Sequence, residues 1–238
     1  MSDYPKTCKI SVILPCLNES PTIGGVIRGI RKDLHALDGS LEILVVDNGS
    51  TDDSVQKAVQ AGARVLKETR RGYGAALAKG FREARGEILV MMDADGTYDP
   101  SSLKEILRPL EDGADLVLGN RFAAPLPRGT ISWVRRHFGN RLATTLINFL
   151  YGTRLQDSQT GLRAFRKECW QRLGLRAEGM ELASEMIIRS AQSRVAIKEV
   201  PIAYRKRQGE ASKFRPIRDS LRHARTIFAL RFSGNGRS

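Results

Sequence analysis

Five short apolar runs, each closed by a cluster of polar residues, put the strongest limit on what this chain can fold into. They are Ile10–Pro15, Leu41–Asp47, Ala63–Lys67, Glu87–Asp93 and Ala114–Asn120. Each is almost continuously hydrophobic, the pattern of a strand buried on both faces. Helix-compatible segments lie between them at about 20–37, 52–61, 73–84 and 101–111. Thr51 and Ser101 or Ser102 supply N-caps, and Ser50, Asp52 and Asp53 read the same way. Such alternation predicts an α/β fold, a mostly parallel central sheet flanked by helices, with ligands bound beyond the carboxyl ends of the strands. At those ends stand Asn18-Glu19, Asp47-Asn48, Arg70-Arg71-Gly72, Asp93 with Asp95, and Asn120-Arg121, so five loops are expected on one rim.

The second half is less regular. Ile131, Val134, Phe138, Leu142, Leu146, Phe149 and Leu150 step mostly by three or four, which predicts an amphipathic helix at about 130–151; core packing is the more common fate of such a stripe, and facing lipid is the alternative. A polar loop and strand-like piece, "DSQTGLRAFRK", follows; then come a helix at about 181–193, a strand in "VAIKEVPIAYRKR" and a last helix at about 216–230. With no repeat, low-complexity tract or linker, residues 1–238 read as one domain.

Asp93 and Asp95 are the chemical puzzle. Residues i and i+2 of an extended segment point the same way, so two carboxylates would share one small volume and repel unless a cation or a proton intervenes. Mg²⁺ or Mn²⁺, shared with a substrate diphosphate, answers that need; a plain Asp-Gly turn is the alternative. Asp47 offers a hydrogen-bond acceptor to a base or ribose, or serves its own Asn48-Gly49 turn. Gly72 and Gly74 make half of a dinucleotide fingerprint, without the third glycine and after the wrong strand; they would still let a phosphate approach closely. His35, His137 and His223 share no motif, and neither a P-loop nor a covalent nucleophile is present.

The net charge of +13 calls for a polyanionic neighbour. Nucleic acid is not expected, since no recognition motif occurs and aromatics are only 6% of residues. No stretch approaches the ~18 apolar residues of a membrane-spanning helix, and the N-terminus lacks a signal-peptide layout. Cys8, Cys16 and Cys169 read as free thiols, so a cytoplasmic location is expected.

Taken in order, "SVILPCLNE", "VVDNGSTD", "RRGYGAALAKGFREARGEILVMMDADGTYDP", "LGNRF", "QDSQTGLRAFR" and "EVPIAYRKRQGEASK" resemble the family-2 glycosyltransferases of GT-A fold, nearest the dolichyl- or polyprenyl-phosphate sugar synthases. The resemblance implies a nucleotide-sugar half at about 8–120 and an acceptor half at about 121–238. Pro15, Leu17, Glu19 and Asp47 would hold the nucleoside, and Asp93 and Asp95 the metal, with Asp95 the more direct ligand. Arg121 would lie near the sugar or acceptor phosphate. Asp157, Gln159, Thr160, Gly161 and Arg163 correspond to the acceptor-side motif, and Arg205 and Lys213 to a basic loop closing over the phosphates. Two departures stand out. Asn48 replaces a frequent second acid, and Thr97 replaces a glutamine that ligates metal in some synthases.

The implied reaction is inverting sugar transfer from a nucleoside diphosphate, a UDP-sugar slightly favoured over GDP-mannose. A polyprenyl phosphate acceptor arrives ionised and needs no strong base. A hydroxyl acceptor on a soluble metabolite would need one, with Asp157 and Glu185 the candidates. From Tyr204 to Ser238 the chain carries ten Lys or Arg against Glu210 and Asp219, and Ile217, Leu221, Ala224 and Phe228 share a helical face. A basic amphipathic helix of this kind suits an anionic membrane surface, which would make the enzyme peripheral at the inner face of the membrane; a helix packed on the domain with a solvated basic face is equally compatible.

Overall fold

The computed structural model describes residues 10–37, 40–123, 140–208 and 215–233. The five apolar runs become strands β1 (Ile10–Cys16), β2 (Leu41–Asp47), β3 (Arg64–Lys67), β4 (Ile88–Met91) and β5 (Leu116–Asn120), and the later ones β6 (Arg163–Arg166) and β7 (Ile197–Pro201). They form one sheet in the order β3-β2-β1-β4-β6-β5-β7. β1 pairs in parallel with β2 and β4, β2 with β3, and β5 with β7. β6 lies antiparallel between β4 and β5. The mostly parallel α/β sheet expected from the pattern is what forms.

The helices are α1 (Ile23–Asp33), α2 (Ser54–Gln60), α3 (Tyr73–Glu83), α4 (Leu103–Glu111), α5 (Asn140–Tyr151), α6 (Lys167–Leu173), α7 (Leu182–Gln192) and α8 (Pro216–Ser233). Alternate residues of each strand feed two separate cores. Val12, Leu14, Val45 and Val90 pack with Ile27 and Ile106, whereas Ile13, Leu44, Val46 and Leu89 pack with Phe81, Phe165 and Ile187. Helices therefore cover both faces, which is why the strands read as unbroken apolar runs.

The second half departs from its sequence pattern. Residues 130–139 of the expected long helix lie outside the described residues. In α5 Thr144 and Ile147 are buried and Leu150 and Tyr151 pack partly against the core, while Leu142 and Phe149 are 60% and 83% exposed. α6, a helix of two turns, has no counterpart among the sequence expectations, and β7 is shorter than the apolar run that suggested it.

Reversal of β6 is what assembles the rim. A parallel strand would deliver its C-terminal loop there. β6 runs the other way, so its N-terminal end, Arg163, pairs with Met91 at the C-terminal end of β4. The loop that precedes it, residues 156–162, thereby lands beside Asp93.

Candidate active site

The rim begins with turns that consume their own polar groups. Asp47 accepts hydrogen bonds from the Gly49 and Ser50 amides at 3.2 and 2.9 Å. The Asn18 side chain accepts from the Thr51 amide at 2.8 Å, and the Glu19 amide donates to Ser54 Oγ at 2.8 Å. Ser54 is in turn held by Asp52, whereas Asp53 makes no side-chain cap to α2. Asn48 donates to the Glu68 and Arg70 carbonyls at 3.0 and 2.8 Å and accepts from the Gly72 amide at 2.8 Å. An acid in its place would lose both donated bonds, which explains why this position is an amide here. Pro15 and Leu17 are half-buried beside these turns.

Gly72 has a different role from the one its sequence suggested. Its φ is +145°, and a Cβ there would stand 2.1 Å from the Glu178 carbonyl oxygen. The Ala75 amide donates to that same oxygen at 3.0 Å. The glycine admits a protein loop, residues 177–179, to the N-terminus of α3, where a phosphate was expected.

Asp93 is half-buried close to the start of α3. Tyr73 donates its hydroxyl to Asp93 Oδ1 at 2.8 Å. The other oxygen, Oδ2, would be 2.4 Å from a Cβ on Gly161, so only glycine admits the 156–162 loop so near. The Gly161 amide is fixed by Tyr98, to whose hydroxyl it donates at 2.6 Å. Burial, then repulsion from Asp95, pushes the Asp93 carboxyl up to about 6, and burial followed by the Asp93 charge raises the Tyr73 phenol well above its usual value. Asp95 is oriented by Thr97, whose amide and hydroxyl reach its Oδ1 at 3.0 and 2.6 Å. Its Oδ2 meets the Arg207 guanidinium, which also holds Glu19.

Arg207 was not foreseen. Residues 203–207 run along 97–99, with Tyr98 and Tyr204 in a β-bridge and the Arg205 amide donating to the Thr97 carbonyl at 2.7 Å. Arg205 meets Asp99 at the surface, and Arg207, two residues on, reaches inward to the acid pair. Burial opposes the Arg207 charge, but Asp95 and Glu19 prevail and raise its pKa. Lys213 lies outside the described residues.

The motif at residues 157–163 is a buried lattice. Arg121 grips Asp157 through two bonds, Nε to Oδ2 at 2.6 Å and Nη2 to Oδ1 at 2.7 Å, and Asp157 is fully buried. Burial lowers the Arg121 pKa, yet Asp157 outweighs it and the group stays above its ordinary range. Glu199 on β7 accepts the Gln156 and Asp157 amides, both at 2.8 Å. Arg163, also fully buried, donates to the carbonyls of Thr160, Ala183 and Ser158 at 3.0, 3.0 and 2.9 Å, and burial lowers its pKa to about 10. Gln159 reaches Ser184 Oγ at 3.1 Å, and that hydroxyl meets His223 Nδ1 of α8 at 2.8 Å. Glu185 accepts from the Arg176 and Ala177 amides at 2.9 and 2.7 Å and from Arg189 at 2.7 Å, so it anchors the loop ahead of α7.

Among the described residues no group of three or more His, Cys, Asp or Glu gathers to form a cation site. Asp93 and Asp95 form a two-carboxylate set with a guanidinium already acting as counter-cation. Such a set fits Mg²⁺ or Mn²⁺ that completes its shell with substrate phosphate and water.

Residues 11–174 match the family model described as Glycosyl transferase family 2. The chain belongs to that family. It is 35% identical over 217 residues to the low-salt glycan biosynthesis hexosyltransferase Agl6 of Haloferax volcanii, covering 91% of this chain but 52% of that protein, so it spans about half of that relative. It is 34% identical over 204 residues to the dolichyl-phosphate hexose transferase of the same organism, covering 84% and 85% of the two chains. Glucosyl-3-phosphoglycerate synthase from Mycobacterium tuberculosis, solved with Mn²⁺, uridine diphosphate and phosphoglyceric acid, superposes with a TM-score of 0.73 at 27% identity, over 98% of this chain and 80% of that one. The fold of this family-2 glycosyltransferase is GT-A, as its motifs implied.

Proposed function

We propose that the protein transfers a hexose, with inversion, from a nucleoside diphosphate sugar to a polyprenyl phosphate. Asp93 and Asp95 would hold Mg²⁺ or Mn²⁺, which supplies positive charge for the departing diphosphate. Glu19 and the turns at Asp47 and Asn18 would seat the nucleoside. Arg207 holds the charge of Asp95 and Glu19 until a donor binds, and Arg121 presents a fixed cation on the acceptor side. The relative with a matching full length is named for a dolichyl-phosphate acceptor, and the superposed structure carries uridine diphosphate; both support this reading.

One observation carries the choice of acceptor: both carboxylates proposed as general bases are occupied. Asp157 is bound on both oxygens by Arg121, and Glu185 by two amides and Arg189. A carboxylate saturated in this way is a poor proton acceptor. An acceptor that arrives ionised, such as a lipid phosphate, removes the need for a base. Asp157 then acts as a positioning residue for Arg121.

Exposed Leu142 and Phe149 on α5, with Ile217, Leu221, Phe228 and Phe232 on α8, give an apolar surface edged by Arg218, Arg222 and Arg225. That combination suits peripheral contact with an anionic membrane. Among the described residues no helix is long and apolar enough to cross one.

The test is nucleoside diphosphate release from UDP- and GDP-sugars with Mg²⁺ or Mn²⁺, with and without undecaprenyl phosphate. Release that needs the lipid and is lost in Asp95→Ala is the expected outcome. Release that is indifferent to the lipid but stimulated by a small hydroxylated acceptor overturns the acceptor assignment.

A further inference from the structure

Away from the acid pair, a cleft of about 450 Å³ opens between the loop before α7, the start of α3 and the side of α8. Four of its lining residues are Arg71, Arg176, Arg222 and Arg225, contributed by three separate segments. None of the side chains that touch Asp93 or Asp95 lines it. Among the described residues no carboxylate forms an ion pair with any of the four arginines. Arg71 donates from its guanidinium Nη1 to the Asn48 carbonyl at 2.7 Å, a neutral acceptor that leaves the positive charge without a counter-ion among the described residues.

Two acids share the lining, and neither forms an ion pair with its arginines. Glu178 pairs with Arg70 at 3.1 Å, outside the cleft. Glu181 accepts the Gly179 amide at 3.2 Å through one oxygen, while its other oxygen is buried with no hydrogen-bond partner. The lining thus carries a surplus of two positive charges. A phosphomonoester, which bears about −1.5 to −2 near neutrality, matches that surplus.

α8 presents the cleft in a particular setting. Asp219, His223 and Ile227 face the domain, Ile217, Leu221, Phe228 and Phe232 face outward, and Arg222 and Arg225 lie between the two faces. A phosphate held by those arginines would have any attached apolar chain next to the outward stripe.

We propose that this cleft is a second anion site that takes a phosphomonoester, on a lipid headgroup or on a small soluble molecule. It stands whether or not the transferase reading holds, and UDP binding reports on that reading separately.

The experiment compares the full chain with its Arg176→Gln/Arg222→Gln variant. Inorganic phosphate binding is followed by equilibrium dialysis, and UDP binding with Mn²⁺ by calorimetry. Loss of two charge-assisted contacts weakens phosphate binding by roughly tenfold or more while UDP binding is unchanged. Equal phosphate binding by both proteins overturns the site. If the double variant does not fold, Arg225→Gln on the exposed flank is read in the same way. Phosphatidylcholine vesicles doped with phosphatidic acid, against vesicles doped to equal charge with phosphatidylglycerol, identify the source. A preference for phosphatidic acid that disappears in the variant assigns the site to a lipid headgroup. Saturable phosphate binding without that preference assigns it to a soluble ester. Binding to both vesicles that the variant retains reflects general basic charge and overturns the proposal.

Discussion

Two arginine–carboxylate pairs stand on this rim, and they are built to opposite ends. Arg121 and Asp157 are 7% and 0% exposed in their side chains, joined by parallel bonds and enclosed by β5, β7 and the loop before β6. Arg207 and Asp95 are 21% and 10% exposed, and Arg207 comes from the strip that follows β7. The sealed pair has no route by which another cation can replace its arginine. The open pair shares one guanidinium between Asp95 and Glu19, beside a second carboxylate that burial keeps hard to ionise. One pair is sealed into the fold, and the other lies where a competing cation can reach it.

The sharpest way to break that contrast is to cut each pair on the carboxylate side. Asp157→Ala leaves a buried, unpaired guanidinium and should cost about 3–5 kcal/mol in urea unfolding. Replacing both partners, Arg121→Met with Asp157→Leu, should recover most of that stability but no turnover. Asp95→Asn should do the reverse: kcat for nucleotide-sugar turnover falls on the order of a hundredfold, while stability changes by about 1 kcal/mol. A stability loss at Asp95 equal to that at Asp157 would erase the distinction.

Asp93 adds a pH signature. Its folded pKa, about 6, lies above the ordinary 3.8, so its contribution to stability is present at low pH and is lost as pH rises through 6. Asp93→Asn keeps an acceptor for Tyr73 and removes the titration. Its stability relative to the wild type should climb by roughly 2–3 kcal/mol between pH 4 and 7, then level off. A difference flat across that range would mean the carboxyl is not held up by burial. Arg207→Gln refines the open pair: Mn²⁺ affinity without nucleotide, read by electron paramagnetic resonance, should rise about tenfold once the competing cation is gone. The smallest effect belongs outside both pairs. Phe149→Ser with Leu221→Ser should leave stability within about 0.5 kcal/mol of the wild type yet weaken co-sedimentation with anionic vesicles.

Much of the first half of the chain was legible because local pattern decides it. Strands buried on both faces give unbroken apolar runs, and Asp93 and Asp95 follow one of them directly. The parts that depend on distant pairing were hidden. Gly161 matters because β6 runs backwards and brings it against Asp93, and Arg207 because residues 203–207 lie along 97–99. Tyr73 reaches Asp93 only once α3 is docked. Gly72 carries a signal for close approach, but the sequence does not say that the approaching group is the Glu178 carbonyl. On α5 a regular stripe suggested core contact. Thr144, bonded to Ser158 at 2.9 Å, turns the helix so that Leu142 and Phe149 face out. Glu185 and Asp157 show the converse limit, since sequence marks an acid without showing what already holds it.

Because β6 is hydrogen-bonded on both sides, its placement is digital. A slip of one residue would swing Arg163 from the interior to the opposite face of the sheet, and the next tolerated setting is a full two-residue step of roughly 7 Å. The contact between Gly161 and Asp93 therefore cannot be tuned by gradual drift of the strand. Variation at this rim must enter as changed lengths in the flanking loops, or as substitutions at the few side chains they present, while the strand itself works as a fixed gauge between Asp93 and the 156–162 loop.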